Sequence, residues 1–297
     1  VTDYNVPRDH LGRPMLYAPT GGDNRIPYTR VSTLAKILDD KEGLISWTAA
    51  MALVGIVKSP SLQARVASLI AKTRRDVWEE NKKPLKEIVT TATGLAQAQA
   101  KADFGTAVHE FTEVLHDGTL DWDLVPESLK GPVAAYLEAT ESITVLDREV
   151  FVTLDAEVLG DEVRAAGSLD RVIHHPDLGV VVGDVKTGAN EHKYPLGVTT
   201  QIAIYSRGQR YRDAVFEGSP PFDDGTPNDS GTAWRKPIHD EIRTDVGLLI
   251  HCPLNPDKKG RYICDLYALD LNKGWRAVEL GRETNRFRSG KGLLEKL

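Results

Sequence analysis

The chain has 297 residues, 41% hydrophobic and 27% charged, with a formal net charge of −6. This is the composition of a folded globular protein and excludes a disordered one; no run approaches the ~18 consecutive apolar residues of a membrane-spanning helix. The mild acidity argues against a nucleic-acid coat protein but leaves room for an enzyme that meets nucleic acid through a local patch.

Residues 1–30 are rich in Gly, Pro, Asn and Asp, show no sustained period, and predict an extended N-terminal arm. The opening VTDYNVPRDHLGRP lacks the apolar core of a secretory signal, so a cytoplasmic setting is expected, the host cytoplasm if the chain is phage-encoded. Residues 31–146 predict a helical region. Ser32 and Thr33 offer an N-cap before LAKILDD, and ISWTAAMALVGIV has helical composition. Pro60 can open a third helix running through SLQARVASLIAKTRRDVWEENKK, with Leu62, Val66, Leu69 and Ile70 at helical spacing. Its basic residues Lys72, Arg74, Arg75, Lys82 and Lys83 read as a solvated face or, in a nuclease, as a track for phosphates. Helical patterning returns over 84–115 and again over 132–142.

Near Asp147 the texture changes. REVFVTLDAEV, EVRAAGSLDRVIHH and LGVVVGDVKTG are β-rich runs broken by turn residues at 159–161 and 176–179. A helix is expected over 194–212, a polar loop over 218–237, then strands VGLLIHC and RYICDLYAL joined by a turn at 255–260, and a last helix over 272–287. The predicted order for 147–297 is βββ-α-ββ-α, an α/β core. Two cysteines, Cys252 and Cys264, are too few for a disulfide framework or a four-cysteine metal cluster. They flank the last hairpin turn and are expected to be free thiols in a reducing compartment.

The chemistry concentrates in VVVGDVKTG, residues 180–188. In a strand, Asp184 and Lys186 point to the same face, where burying both is costly unless they are paired. Folding the preceding strand back through the 176–179 turn brings Asp170 beside Asp184. Two carboxylates that close repel each other unless a cation lies between them, and a hard ion such as Mg²⁺ prefers oxygen ligands. A surface Asp–Lys pair at a strand end is the plainer alternative.

Asp170 followed by Asp184-Val185-Lys186 on the next strand resembles the PD-(D/E)XK nuclease signature. More narrowly, it resembles the RecB-like and Cas4-like exonuclease branch, including phage-encoded members. Further marks fit in order: His109 in G-x-x-x-H, Glu149 at the start of the first core strand, Asp170 in G-x-x-D, and Gln201 and Tyr205 in Q-x-x-x-Y. The resemblance covers about 105–210. It implies a restriction-endonuclease-like core, a central mixed β-sheet flanked by helices, with a helical N-terminal region. It implies Mg²⁺ or Mn²⁺, one or two ions, held by His109, Asp170, Asp184 and the Val185 carbonyl. It further implies that Lys186 handles the attacking water and that Gln201, Tyr205 and Glu149 bind DNA or support the site. The expected partner is DNA, linear duplex or single strand, in recombination, repair or phage DNA metabolism. A recombination or annealing protein, or a second copy of the chain, is a further partner, and no membrane is expected. Relatives with an iron-sulfur cluster use four cysteines, so no such cluster is expected here.

Two other classes stay open. One is a non-catalytic DNA-binding or scaffold protein on the same fold, to which a costly Asp170/Asp184/Lys186 set would be of no use. The other is a zinc metalloprotease through His109, Glu113 and His116, which departs from H-E-x-x-H by having Glu113 where the second histidine belongs.

Overall fold

The computed structural model describes residues 6–19, 24–96, 100–116, 122–155, 164–188, 190–213, 233–288 and 290. They divide into two compact units, one of residues 1–39 and 111–297, the other Asp40–Glu110.

The larger unit is α/β, built on a mixed eight-stranded sheet flanked by helices. After β1 (Met15–Tyr17) and β2 (Arg25–Pro27), which form a small sheet of their own, come β3 (Thr29–Arg30) and the short helix α1 (Val31–Ala35). Helices α2 (Glu42–Val57), α3 (Pro60–Lys72) and α4 (Val77–Leu95) belong to the smaller unit, and α5 (Ala100–His116) runs out of it. The rest of the larger unit is α6 (Glu127–Ala139), β4 (Thr144–Leu154), β5 (Ala165–His175), β6 (Gly179–Lys186), α7 (Leu196–Tyr205), β7 (Gln209–Asp213), β8 (Ala233–Pro237), β9 (Val246–His251), β10 (Asp265–Asp270) and α8 (Leu271–Arg288). The sheet order is β10-β9-β6-β5-β4-β7-β8, with β3 alongside β5. β6 pairs antiparallel with β5 and parallel with β9.

β6 is an interior strand, flanked by β9 and β5, and its composition explains why. Val180, Val181, Val182 and Val185 are all buried, the near-continuous apolar run of a strand covered on both faces. On one face Val180 and Val182 pack with Val150, Val152, Leu169 and Val172 against Val198 and Ile202 of α7. On the other, Val181, Val185, Ile173 and Ile250 lie under Tyr136 of α6. Helix α7 is buried along most of its length, as a largely apolar core helix must be.

Several elements differ from the expectation, each for a local reason. Within the arm, β3 joins the main sheet by pairing with Ala165 and Ala166. Ser32 and Thr33 lie inside α1, whose N-cap is Arg30. The helix expected through 60–83 breaks after Lys72, because Asp76 caps a new helix by accepting from the Glu79 amide at 2.7 Å. The helix expected over 194–212 stops at Tyr205. A side chain at Gly208 would meet Val152 Cγ1 at 2.2 Å and the Thr153 carbonyl at 2.8 Å, so the chain turns tightly against β4 and continues as β7. Of the expected loop 218–237, residues 233–237 form β8, while 218–232 lie outside the described residues. The helical unit, Asp40–Glu110, is narrower than 31–146, since α1 and α6 pack on the sheet.

The free thiols expected at Cys252 and Cys264 are instead a disulfide, with Cα atoms 4.4 Å apart. The β9–β10 ladder pairs His251 with Asp265, and one further step in the same register sets the two cysteines face to face. Ladder geometry, which a compartment argument ignores, decides the contact. No single helix is long and apolar enough to cross a membrane among the described residues. The bridge closes a short loop, so its reduction or Cys264→Ser should lower unfolding free energy by about 2–3 kcal/mol. Denaturant midpoints measured with and without dithiothreitol check this, and identical midpoints would contradict it.

Candidate active site

The β5–β6 ladder runs from His175–Gly179 to Arg171–Gly183. Its next step brings Asp170 to Asp184, where the register count from the turn places them. Asp170 Oδ2 accepts from the Val185 amide at 3.1 Å. Lys186 Nζ stands 2.5 Å from Asp184 Oδ2. Gln201, one turn before the end of α7, donates from Nε2 to Asp184 Oδ1 at 3.5 Å. Asp170, Asp184, Lys186 and Gln201 are therefore brought together.

Asp184 is the costly member. Its side chain is 3% exposed, against 29% for Lys186. Its Oδ2 is ion-paired with the Lys186 ammonium. Burial, then the nearby Asp170 carboxylate, pushes the Asp184 carboxyl up to about 7, although Lys186 pulls the other way. For Lys186, burial works against the charge, but Asp184 and Asp170 outweigh it and hold the ammonium pKa above its ordinary value. The Tyr205 hydroxyl is likewise pushed well up by burial and by the two aspartates.

β4 and β5 are locally irregular at this point. Arg148 pairs with Arg171 and Val150 with Leu169, but Glu149 and Asp170 between them do not pair. Glu149 has φ +48°, the left-handed region that costs a residue with a side chain of order 1 kcal/mol or more. Alternation breaks here too: Leu169 and Val172 lie in the core beneath α7, whereas Ile173 faces α6. Interruptions of this kind re-aim a side chain beside functional sites. The Glu149 charge is among those acting on Tyr205, so Glu149 borders the cluster.

The two flanking motifs explain each other. A side chain at Gly167 would lie 2.8 Å from the Tyr205 hydroxyl. Glycine opens G-x-x-D because tyrosine closes Q-x-x-x-Y.

Sequence reasoning missed three features. Arg171, next to Asp170, is fully buried and donates to Thr112 Oγ1 at 2.9 Å and to the Tyr136 hydroxyl, pinning α5 and α6 to the strand behind the site. Its only signal was a cation inside an apolar strand. Glu191 adds a third negative charge acting on Asp184 and Lys186, from a turn without periodicity. His251 pairs with Lys186 across β6–β9, and its Nε2 lies 2.7 Å from the Gly188 carbonyl; that juxtaposition spans sixty-odd residues of chain.

His109 lies half-buried on α5 within the Asp40–Glu110 unit. The side chains of Glu113 and His116, on which the zinc-helix alternative turns, lie outside the described residues. Among the described residues, no three His, Cys, Asp or Glu side chains are gathered into a ready-made metal cluster. Comparison with protein-family models and with curated proteins returns no match to this chain.

Two outcomes follow from the packing and the charge. Gly167→Ala should destabilise by about 1–3 kcal/mol through overpacking, and Tyr205→Phe in the same chain should recover much of the loss, because the clash is with the hydroxyl. Denaturation of the single and double variants checks it; equal loss in both would refute the contact. The folded state holds a proton on Asp184 that the unfolded chain releases near pH 4. This stabilisation is present below about pH 4 and is lost as pH rises toward about 7. Asp184→Asn, which mimics the protonated group, should therefore raise melting temperature relative to wild type more at pH 8 than at pH 4. A pH-independent difference would contradict the shift.

Proposed function

We propose that the chain is a Mg²⁺- or Mn²⁺-dependent deoxyribonuclease of the PD-(D/E)XK kind and RecB-like branch, an exonuclease rather than an endonuclease. The observation that carries this reading is the placement of Asp170 and Asp184 side by side around Lys186, with the Asp184 carboxylate almost fully buried. Such a carboxylate is costly to keep charged, and a hard cation would offset the cost. The donor set fits one: carboxylate oxygens from Asp170 and Asp184 and the Val185 carbonyl are the oxygen ligands that Mg²⁺ and Mn²⁺ prefer.

When bound, such an ion would supply Lewis acidity at the phosphoryl oxygen and lower the pKa of the attacking water, whose proton would pass to solvent. The chain supplies the rest. Lys186 is held protonated by its two aspartates, so it acts as a donor and positive charge toward the phosphate rather than as a base. Its partial exposure lets substrate reach it, while Gln201 keeps the Asp184 carboxylate oriented. The contribution is electrostatic and preorganised, and removal of one such charge typically costs 10²–10³-fold in rate.

The test uses linear and circular duplex DNA with Mg²⁺, Mn²⁺ or EDTA. Linear DNA should be degraded with either metal and spared in EDTA, and Lys186→Ala should be at least ~100-fold slower. Mg²⁺ should also raise the melting temperature of wild type but not of Asp184→Asn. Absence of metal-dependent cleavage, or a Lys186→Ala variant as fast as wild type, would sink the proposal.

A further inference from the structure

The helical unit carries a surface that the proposed active site does not use. Between residues 72 and 91 stand Lys72, Arg74, Arg75, Lys82, Lys83 and Lys86 against Asp76, Glu79, Glu80 and Glu87, a local excess of positive charge in a chain whose net charge is −6. The carboxylates are all engaged. Asp76 caps the Glu79 amide, Glu79 pairs with Lys82 at 2.8 Å, and Glu87 pairs with Arg65 at 2.9 Å. Glu80 accepts from the backbone amides of Arg74 and Arg75 at 3.2 and 2.8 Å. Arg74, Arg75, Lys83 and Lys86 are exposed and have no carboxylate within ion-pair distance among the described residues.

Glu80 thus fastens the two arginines at the first turn of α4, and that turn presents an exposed indole. Trp78 is 48% exposed, and Lys86 Nζ lies over its ring, 5.9 Å from the centroid. Lys82, Lys83 and Lys86 line an open cavity of about 580 Å³ with Glu87, Thr90 and Thr91. Unpaired cations beside an exposed aromatic face form the combination that holds single strands: the charges follow the phosphates and an unstacked base lies on the ring. A duplex keeps its bases stacked inside and cannot use the ring.

We propose that the start of α4, through Trp78, Lys83, Lys86, Arg74 and Arg75, is a binding surface for single-stranded nucleic acid. The inference deepens the nuclease reading by giving its substrate a holding place apart from the Asp184 site, and it rests on that reading only for the identity of the polymer as substrate.

The test is fluorescence anisotropy of labelled dT20 with the full chain in EDTA, where no metal-dependent cleavage occurs. Trp78→Ala should weaken binding about tenfold, from the loss of one stacked base. Lys83→Ala/Lys86→Ala, exposed changes that leave the packing intact, should reduce the slope of log K against log salt by about 1.4, two single-strand phosphate contacts. A 20-base-pair duplex should bind more weakly and ignore Trp78→Ala. Wild-type affinity in both variants, or no binding of dT20, would overturn the proposal. Binding to phosphatidylserine vesicles without dT20 binding would overturn it in favour of a lipid surface. The two readings fail separately: a chain that cleaves with Mg²⁺ while Trp78→Ala binds normally loses this surface alone. One that binds through Trp78 and never cleaves loses the nuclease assignment alone.

Discussion

A carboxylate that is 3% exposed and has a titration point near neutrality sets the terms for everything around the exit of β6. Asp184 sits where a valine-rich interior strand of the sheet ends, so it is desolvated by its surroundings. Lys186 answers its charge, Gln201 reaches over from α7, and Asp170 adds a second negative charge from the neighbouring strand. None of these contacts makes the arrangement inexpensive; buried ion pairs seldom repay their desolvation in full. A fold that places such a group at the end of a buried strand gives up stability there.

The neighbouring backbone carries a similar cost. Glu149 adopts a left-handed conformation inside a strand, and the β4–β5 ladder skips one pair where Asp170 lies. Arg171, on the next residue, is locked by Thr112 and Tyr136. The strand is thus irregular at the acid and firmly anchored immediately behind it. That anchoring lets a side chain be re-aimed without loosening the sheet, because the buried guanidinium ties α5 and α6 to the same strand.

Much of this was legible in the residues. The hairpin count through 176–179 gave the Asp170–Asp184 juxtaposition because a tight turn fixes register, and the alternation rule put Lys186 with Asp184. The valine run gave a buried strand and the α/β order followed from the succession of patterns, while the mixed sheet was what the family resemblance implied. What sequence could not supply was whatever depends on partners distant along the chain. α7 stops at Tyr205 because Gly208 presses on β4. Glu191 and His251 approach Lys186 from a turn and from a strand without any local sign. The break between α3 and α4 was local and still missed, because Asp76 was not read as an N-cap.

The parallel pairing of β6 with β9 bears on when the site comes into being. β6 ends at Lys186, but the strand beside it begins at Val246, beyond α7, β7 and β8. During synthesis the β5–β6 hairpin emerges with one edge open, and domains fold as units while the chain lengthens at some 5–20 residues per second. The edge that carries Asp184 and Lys186 stays unpaired on that side until residues 246–251 leave the ribosome, several seconds later. The acidic cluster is thus completed only once a segment well downstream of β6 has been made, and that segment contributes backbone pairing along the β6 edge.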